Sequence, residues 1–318
     1  MADAAVSQSY PSHANRRRQL LTTVAVALTL VLTTAAACQG QEEPKQRTVQ
    51  ELRELSTISN RDKLRIGIYD DFPLMSYTEN GVRKGFDIEI ARYIARSLGF
   101  EDDQRIEWVT LVTEDRVTAL RRGRVDIVVA SFSITDERAR DVSFAGPYLV
   151  TTPEVLIAAE YVDEIRTIPD LRREEYVVCA AGGSTTERML IDRAIPFQEA
   201  SSPTDCRDGV LSGQYQAMVS DATILAGFRS QHPDQLTLVN MPFGIDESLG
   251  IGVPLEDEYL RDLVSYFLGK SYHQAENNLS TAWQAAYNNN LGNWLGPAEQ
   301  PPPLDVPDLV DHDDKVAR

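Results

Sequence analysis

Positive charge is scarce in this chain. Its 318 residues carry 31 lysines and arginines against 48 aspartates and glutamates, a formal net charge of −17 at pH 7. Nucleic acid is thereby excluded as a partner, because its phosphates require a basic face. The imbalance does not by itself select a cationic ligand, since net charge governs solubility and long-range field rather than one pocket. Cysteine and histidine are scarcer still, with three and four copies. No cysteine or histidine stands at ligand spacing from Cys179 or Cys206, which removes the usual zinc patterns. His13, His232, His273 and His312 have no cysteine or serine partner in a nucleophile motif. There is no internal repeat, and nothing in the pattern calls for a cofactor.

What is present is the composition of a globular protein, 42% apolar and 25% charged, with length enough for two domains of ordinary size. Residues 1–38 read as a processing segment rather than as part of the fold. Arg16, Arg17 and Arg18 are followed by an apolar run from Leu20 to Leu32 and by small residues from Thr33 to Ala37, ending at Cys38. Small residues before a cysteine resemble a bacterial lipobox, in which that cysteine is acylated, although Ala35 stands where leucine is preferred. The arginines with Gln19, Leu20 and Leu21 also resemble a twin-arginine signal, which leaves the export route open. An uncleaved anchor helix is the alternative, because Leu20 to Ala37 is just long enough to span. Either way the bulk of the chain lies on the extracytoplasmic face of the cell membrane. The remaining cysteines, Cys179 and Cys206, form an even pair in an exported protein. They read as a disulfide worth about 2–4 kcal/mol, with two buried free thiols as the alternative.

Residues 39–57 are polar and charged and read as a tether. Residues 296–318, proline-rich and acidic, read as a disordered tail. Between them short apolar runs alternate with segments of helical period. KLRIGIY, RIEWVTLV, VDIVVAS, EVLIAAE, YVVCAA, QAMVS, LTLVN and GIGVPL are strand-like. FDIEIARYIARSLG places Ile90, Ile94 and Leu98 on one helical face and stops at Gly99; EDRVTALRRG stops at Gly123. Alternating strands and helices predict parallel sheets covered on both faces.

Four segments stand out: KGFDIEIARYIARSLG, EDRVTALRRGRVDIVVASFSITDERARDVSFAGPY, VVCAAGGSTTERML and VLSGQYQAMVSDATILAG. Their order and spacing resemble the family 3 (polar amino-acid) solute-binding proteins of ABC importers, over roughly Lys63 to Leu291. SFSITDER, FAGPY and VC..GGST look most like the glutamate-binding lipoproteins of Actinobacteria. The resemblance implies a type II periplasmic-binding-protein-like α/β fold, each lobe a mostly parallel sheet flanked by helices. Lobe one would take 58–149 and 248–291, and lobe two 150–247. A two-segment hinge near Tyr148–Glu154 and Met241–Ser248 would join them. It further implies a monomer on a lipid anchor that hands an amino acid, glutamate or a related acidic or polar one, to an ABC permease in the membrane.

A free amino acid presents a carboxylate and an ammonium, and burying either unpaired is expensive. Arg138 follows a strand and a hydroxyl-bearing turn; its fork matches a carboxylate, and the resemblance gives it the ligand's α-carboxylate. On position alone the favoured reading is a surface arginine pairing with Asp136 or Asp141. Ser131 and Ser133 sit at a strand's carboxyl end, where open α/β sheets bind ligands; simple turn chemistry is the alternative. Gly182, Gly183, Ser184 and Thr185 lead into a helix whose free amides attract a carboxylate, and the resemblance places Thr185 on the opposite lobe. Asp221 ends QAMVS and by resemblance binds the α-amino group; otherwise it is a helix cap. The resemblance implies that Thr113 and Arg116 would meet the distal carboxylate of an acidic ligand. Tyr69 and Phe72 are expected on the ligand's aliphatic stem or in the core, and Asp70 or Asp71, if either faced the pocket, would point to a cationic ligand. Gln216 and Asp126 read as structural, Asp87 as a brace at its helix start, and Thr135 as a cap. A sensor for a membrane signalling partner and an enzyme on the same fold, such as a dehydratase, remain as competing classes. An intact amino-acid clamp speaks against the enzyme.

Overall fold

In the computed structural model, residues 46–311 apart from 242 and 278 are described. The expected signal segment, the acylation expected at Cys38, residues 39–45 of the expected tether and residues 312–318 of the expected tail lie outside them. From Arg47 onward the chain is one compact unit. It opens with α1 (Val49–Leu55), which Thr48 and Glu51 close with a reciprocal capping box. Lobe one then alternates β1 (Leu64–Ile68), β2 (Asp71–Phe72), β3 (Ser76–Glu79), β4 (Val82–Lys84), α2 (Phe86–Ser97), β5 (Ile106–Thr110), α3 (Asp115–Arg121), β6 (Ile127–Val128) and β7 (Val142–Thr151). Lobe two holds β8 (Pro153–Ala158), β9 (Val178–Ala181), α4 (Thr185–Asp192), β10 (Phe197–Ala200), α5 (Pro203–Leu211), β11 (Ala217–Asp221), α6 (Ala222–Gln231) and β12 (Leu236–Val239). The chain returns to lobe one through β13 (Glu247–Pro254), α7 (Glu258–Glu276), α8 (Ala282–Asn290) and α9 (Gly292–Leu295).

Each lobe is built on a five-stranded sheet, ordered β5-β1-β6-β13-β7 in lobe one and β10-β9-β11-β8-β12 in lobe two. Lobe one is therefore discontinuous in sequence. β7 and β13 pair antiparallel with Thr151 opposite Glu247, so the two crossings between lobes run side by side as a hinge. The sheets are mixed rather than mostly parallel. β5-β1-β6 and β10-β9-β11 are parallel, but β6-β13, β13-β7, β11-β8 and β8-β12 are antiparallel. The parallel pairs follow from helical crossovers; β7, β8 and β13 carry the chain through the hinge and are free of that constraint.

The sequence expectation of a tether and a disordered tail is corrected where the two ends are described. Leu52 on α1 is buried, and the amide and hydroxyl of Thr57 donate to Asp257 at 2.9 and 2.5 Å. Gln300 is buried, accepting from Ser271 and donating to the Leu268 carbonyl. Leu304 donates its amide to Gly146 on the edge strand β7, and Val310 exchanges backbone bonds with Arg47 and Val49. Composition hides this because an extended proline-rich strand docks through a few backbone bonds and covers a sheet edge, needing no apolar period of its own.

Aromatic packing fixes lobe one beneath the cleft. Phe86 stacks on Tyr148 and Trp283 on Tyr287, Phe86 meets Trp283 and Tyr287 edge-on, and the Trp283 indole donates to the Tyr148 carbonyl at 2.6 Å. The lobes are closed on each other. Gly227 of α6 lies so near the Pro73 carbonyl that a Cβ there would stand 2.0 Å from its oxygen, so glycine is required for the approach. Among the described residues no helix is long and apolar enough to cross a membrane.

Candidate functional site

The cleft is lined by turns at the carboxyl ends of β6, β9 and β11. After β6, Ser131 adopts a left-handed backbone, φ 41°, which turns its amide and hydroxyl onto Asp87 Oδ2 at 2.8 and 3.1 Å. Tyr148 donates to the other carboxylate oxygen at 2.8 Å. Asp87 thus braces the start of α2 against the strand end, as its sequence position suggested. Its carboxyl is pushed up to about 6, by burial foremost and against these donors.

Two guanidiniums flank the buried Phe132 ring, Arg116 at 4.6 Å and Arg138 at 5.1 Å from its centroid. Arg138 begins a short 3-10 turn and donates its amide to Thr135 Oγ1 at 3.2 Å. Its Nη1 donates to the Ser133 carbonyl at 2.8 Å, and its Nη2 crosses the cleft to the Gly183 carbonyl at 3.0 Å. Burial, with the Arg116 charge adding to it, lowers its pKa to about 10. Arg116 is tied more fully to lobe one: Nε donates to the Thr113 carbonyl, and Nη1 to the carbonyls of Ala130 and Ser131. Nη2 makes no hydrogen bond among the described residues.

Lobe two supplies the opposite wall. Gly183, φ 69°, ends the turn after β9 in a conformation that suits glycine. Ser184 caps α4 by accepting from the Glu187 amide. The disulfide Cys179–Cys206 ties β9 to α5, whose Pro203 reaches the recess. Asp221 closes β11. It is 6% exposed and accepts no capping bond from α6; no side-chain hydrogen bond reaches it among the described residues. Its carboxyl is pushed up to about 7, by burial first and by the neighbouring Glu247 second, with Arg116 and Arg138 pulling the other way.

Two connected spaces result. A recess of about 30 Å³ is lined by Tyr69, Thr113, Arg116, Ser131, Ser133, Arg138, Thr185 and Asp221, with Ser184, Thr186, Pro203, Ser220 and Ile224. An outer chamber of about 890 Å³ shares Thr113, Ser133, Arg138, Ser184 and Thr185 with it and runs on to the hinge at Ile245, Asp246, Glu247 and Ser248. The structure therefore gathers every ligand-binding candidate from the sequence except Phe72. That ring is fully buried against Tyr69 and Phe228 and packs the seam between lobes, the core role that was its alternative. The Tyr69 hydroxyl bonds Thr113 at 2.9 Å. Neither Asp70, bonded to Thr78, nor Asp71 lines either space. Gln216 receives the Val177 amide, and Asp126 holds Arg65, so both are structural. Among the described residues no cluster could hold a metal ion.

Sequence reasoning missed Glu247. It is 8% exposed at the start of β13; its Oε2 accepts from the Thr185 hydroxyl at 2.9 Å, and its Oε1 is buried with no partner among the described residues. The available signal was an acid directly before a buried strand inside the expected hinge.

The comparisons agree with this architecture. The model of the bacterial extracellular solute-binding proteins, family 3, matches residues 64–289. The chain is 30% identical to the glutamate-binding protein GluB of Corynebacterium efficiens, over 64% of this chain and 72% of that one. It is 24% identical to a glutamine-binding protein of Geobacillus stearothermophilus, over 70% and 90%. It superposes with a TM-score of 0.66 on the solute receptor for L-cysteine of Neisseria gonorrhoeae, at 24% identity, covering 78% of this chain and 95% of that one.

Proposed function

We propose that this chain, which belongs to the bacterial extracellular solute-binding proteins of family 3, takes a free α-amino acid into its cleft and hands it to the permease of an ABC importer. In this reading it acts as a monomer held outside the cytoplasmic membrane by a lipid on Cys38. The observation that carries the reading is one recess lined from opposite lobes by Arg138 and by a buried Asp221 that has no side-chain hydrogen-bond partner among the described residues. A zwitterion supplies an anion to Arg138, whose Nη atoms meet only the neutral carbonyls of Ser133 and Gly183, and a donor to Asp221. Its carboxylate meets the Arg138 fork, the Ser133 hydroxyl and the amides at the start of α4. Its ammonium meets Asp221, returning that carboxylate to the charged form. Bridging the lobes shifts the population towards the closed form that a permease would recognise. The names of the glutamate- and glutamine-binding relatives support an amino acid as ligand. A buried clamp with both charges of a zwitterion answered is complementary to a ground state, which favours binding over turnover.

A thermal-shift screen of the twenty amino acids tests this. A ligand at one hundred times its dissociation constant stabilises by about 2.7 kcal/mol. Arg138→Ala should abolish the shift while the variant remains folded. A full shift in that variant removes Arg138 from the clamp, and turnover of prephenate-like acids by the purified protein replaces receptor with enzyme.

A further inference from the structure

Which side chain the cleft accepts is set by the outer chamber. The inner recess, at about 30 Å³, has room for about two water-sized groups. That fits an ammonium seated on Asp221 but not the remainder of an amino acid. A ligand held at the shared residues Ser133, Arg138 and Thr185 therefore extends its side chain into the 890 Å³ chamber. Seven carboxylates and two guanidiniums line that chamber. Arg138 belongs to the clamp, and Arg188 stands 63% exposed at 4.0 Å from Glu137. Glu187 is occupied by the Gly183 amide and Asp246 by the Thr152 hydroxyl. Glu247 differs from these. It is more than nine-tenths buried and bonded to Thr185 through one oxygen; its other oxygen has no donor among the described residues. A buried carboxylate oxygen without a donor is costly, and a ligand that brings a donor relieves that cost.

We infer that the outer chamber receives the ligand's side chain and selects one that carries a guanidinium or ammonium, with Glu247 as the carboxylate that accepts it. The inference rests on the amino-acid reading of the same cleft. It departs from the acidic preference that Arg116 and the names of the glutamate-binding relatives support; Nε and Nη1 of Arg116 are engaged by backbone carbonyls of its own lobe, as both Nη atoms of Arg138 are by those of Ser133 and Gly183. A glutamate side chain would bring a further negative charge against Glu247 in a site partly screened from water, where like charges are most unfavourable.

Isothermal titration of the purified protein with L-arginine, L-lysine, L-glutamine and L-glutamate tests it. The expected result is tighter binding of arginine or lysine than of glutamate, by on the order of tenfold or more. Glu247→Gln, checked for an unchanged melting temperature, should narrow that ratio by about tenfold. Glutamate binding more tightly than both cationic amino acids overturns the inference yet leaves the receptor reading in place, provided the binding is lost in Arg138→Ala. An unchanged ratio in folded Glu247→Gln overturns the role of Glu247. No binding of any of the four overturns the inference; the reading beneath it falls only if none of the twenty amino acids binds.

Discussion

Asp87 and Asp221 are both buried acids beside one cleft, Asp221 lining its recess and Asp87 set behind Ser131, and they differ in their company. Asp87 is fully buried and receives three donors, from the Ser131 amide, the Ser131 hydroxyl and the Tyr148 hydroxyl. Asp221 is nearly as buried and receives none among the described residues. Burial raises both, to about 6 and about 7. Burial alone therefore does not separate a structural acid from a binding one. The separating quantity is hydrogen-bond satisfaction: a satisfied carboxylate specifies the strand end, whereas an unsatisfied one waits for a cation from outside.

The comparison breaks most visibly in binding. Asp221→Asn should weaken the best amino-acid ligand by about a hundredfold or more, since loss of one partner of a buried charge pair costs about 2–5 kcal/mol. The empty protein should lose little stability, because the change removes a carboxylate whose charge its burial already disfavours. Calorimetry and urea denaturation read the two halves of this statement. An Asp221→Asn variant that binds normally, or unfolds much more easily, would make the two acids alike. Asp87→Ala should do the reverse. It strands three buried donors and should cost about 3 kcal/mol in denaturation. A loss under about 0.5 kcal/mol would show that those bonds do not hold the strand end.

Much of this was legible in the sequence. Segment order and family resemblance placed Arg138, Ser133, Thr185 and Asp221 at one cleft, because motif spacing survives where strands and helices alternate. The antiparallel hinge strands were not legible, because β7 and β13 pair across about a hundred residues of intervening chain, and local periodicity carries no such pairing. The docking of residues 300–310 escaped for a related reason: Gln300, Leu304 and Val310 hold through contacts that composition cannot encode. Phe72 is an apolar residue beside a pocket, and sequence alone does not say which side of Tyr69 it packs on. Glu247 carried no motif, so its importance appeared only once the hinge brought it to Thr185.

pH sharpens the comparison further. For each acid the folded-state pKa lies above its unfolded value of about 3.9. The stability each contributes is therefore complete at low pH and lost as pH rises, through about 6 for Asp87 and about 7 for Asp221. The empty protein should be more stable at pH 5.5 than at pH 8. Affinity should move the opposite way, because an ammonium requires ionised Asp221 and binding below pH 7 must expel a proton. The loss approaches tenfold per pH unit. Asp221→Asn should flatten the affinity profile, while part of the stability profile, that of Asp87, should persist. Titrations at pH 5.5, 6.5 and 8 decide this, and an affinity that rises on acidification contradicts the assignment.

The smallest expected effect concerns Ser131, which the sequence offered as a ligand group and which the structure turns onto Asp87 as well as towards the recess. Ser131→Ala keeps the amide bond to Asp87 and removes only the longer hydroxyl bond at 3.1 Å. The expected loss is about 1 kcal/mol of stability, with less than about a threefold change in affinity. The two measurements separate the roles because a hydroxyl that donates to Asp87 has its proton engaged before any ligand arrives. An affinity loss comparable to that of Asp221→Asn, with stability unchanged, would move Ser131 from the satisfied carboxylate to the waiting one.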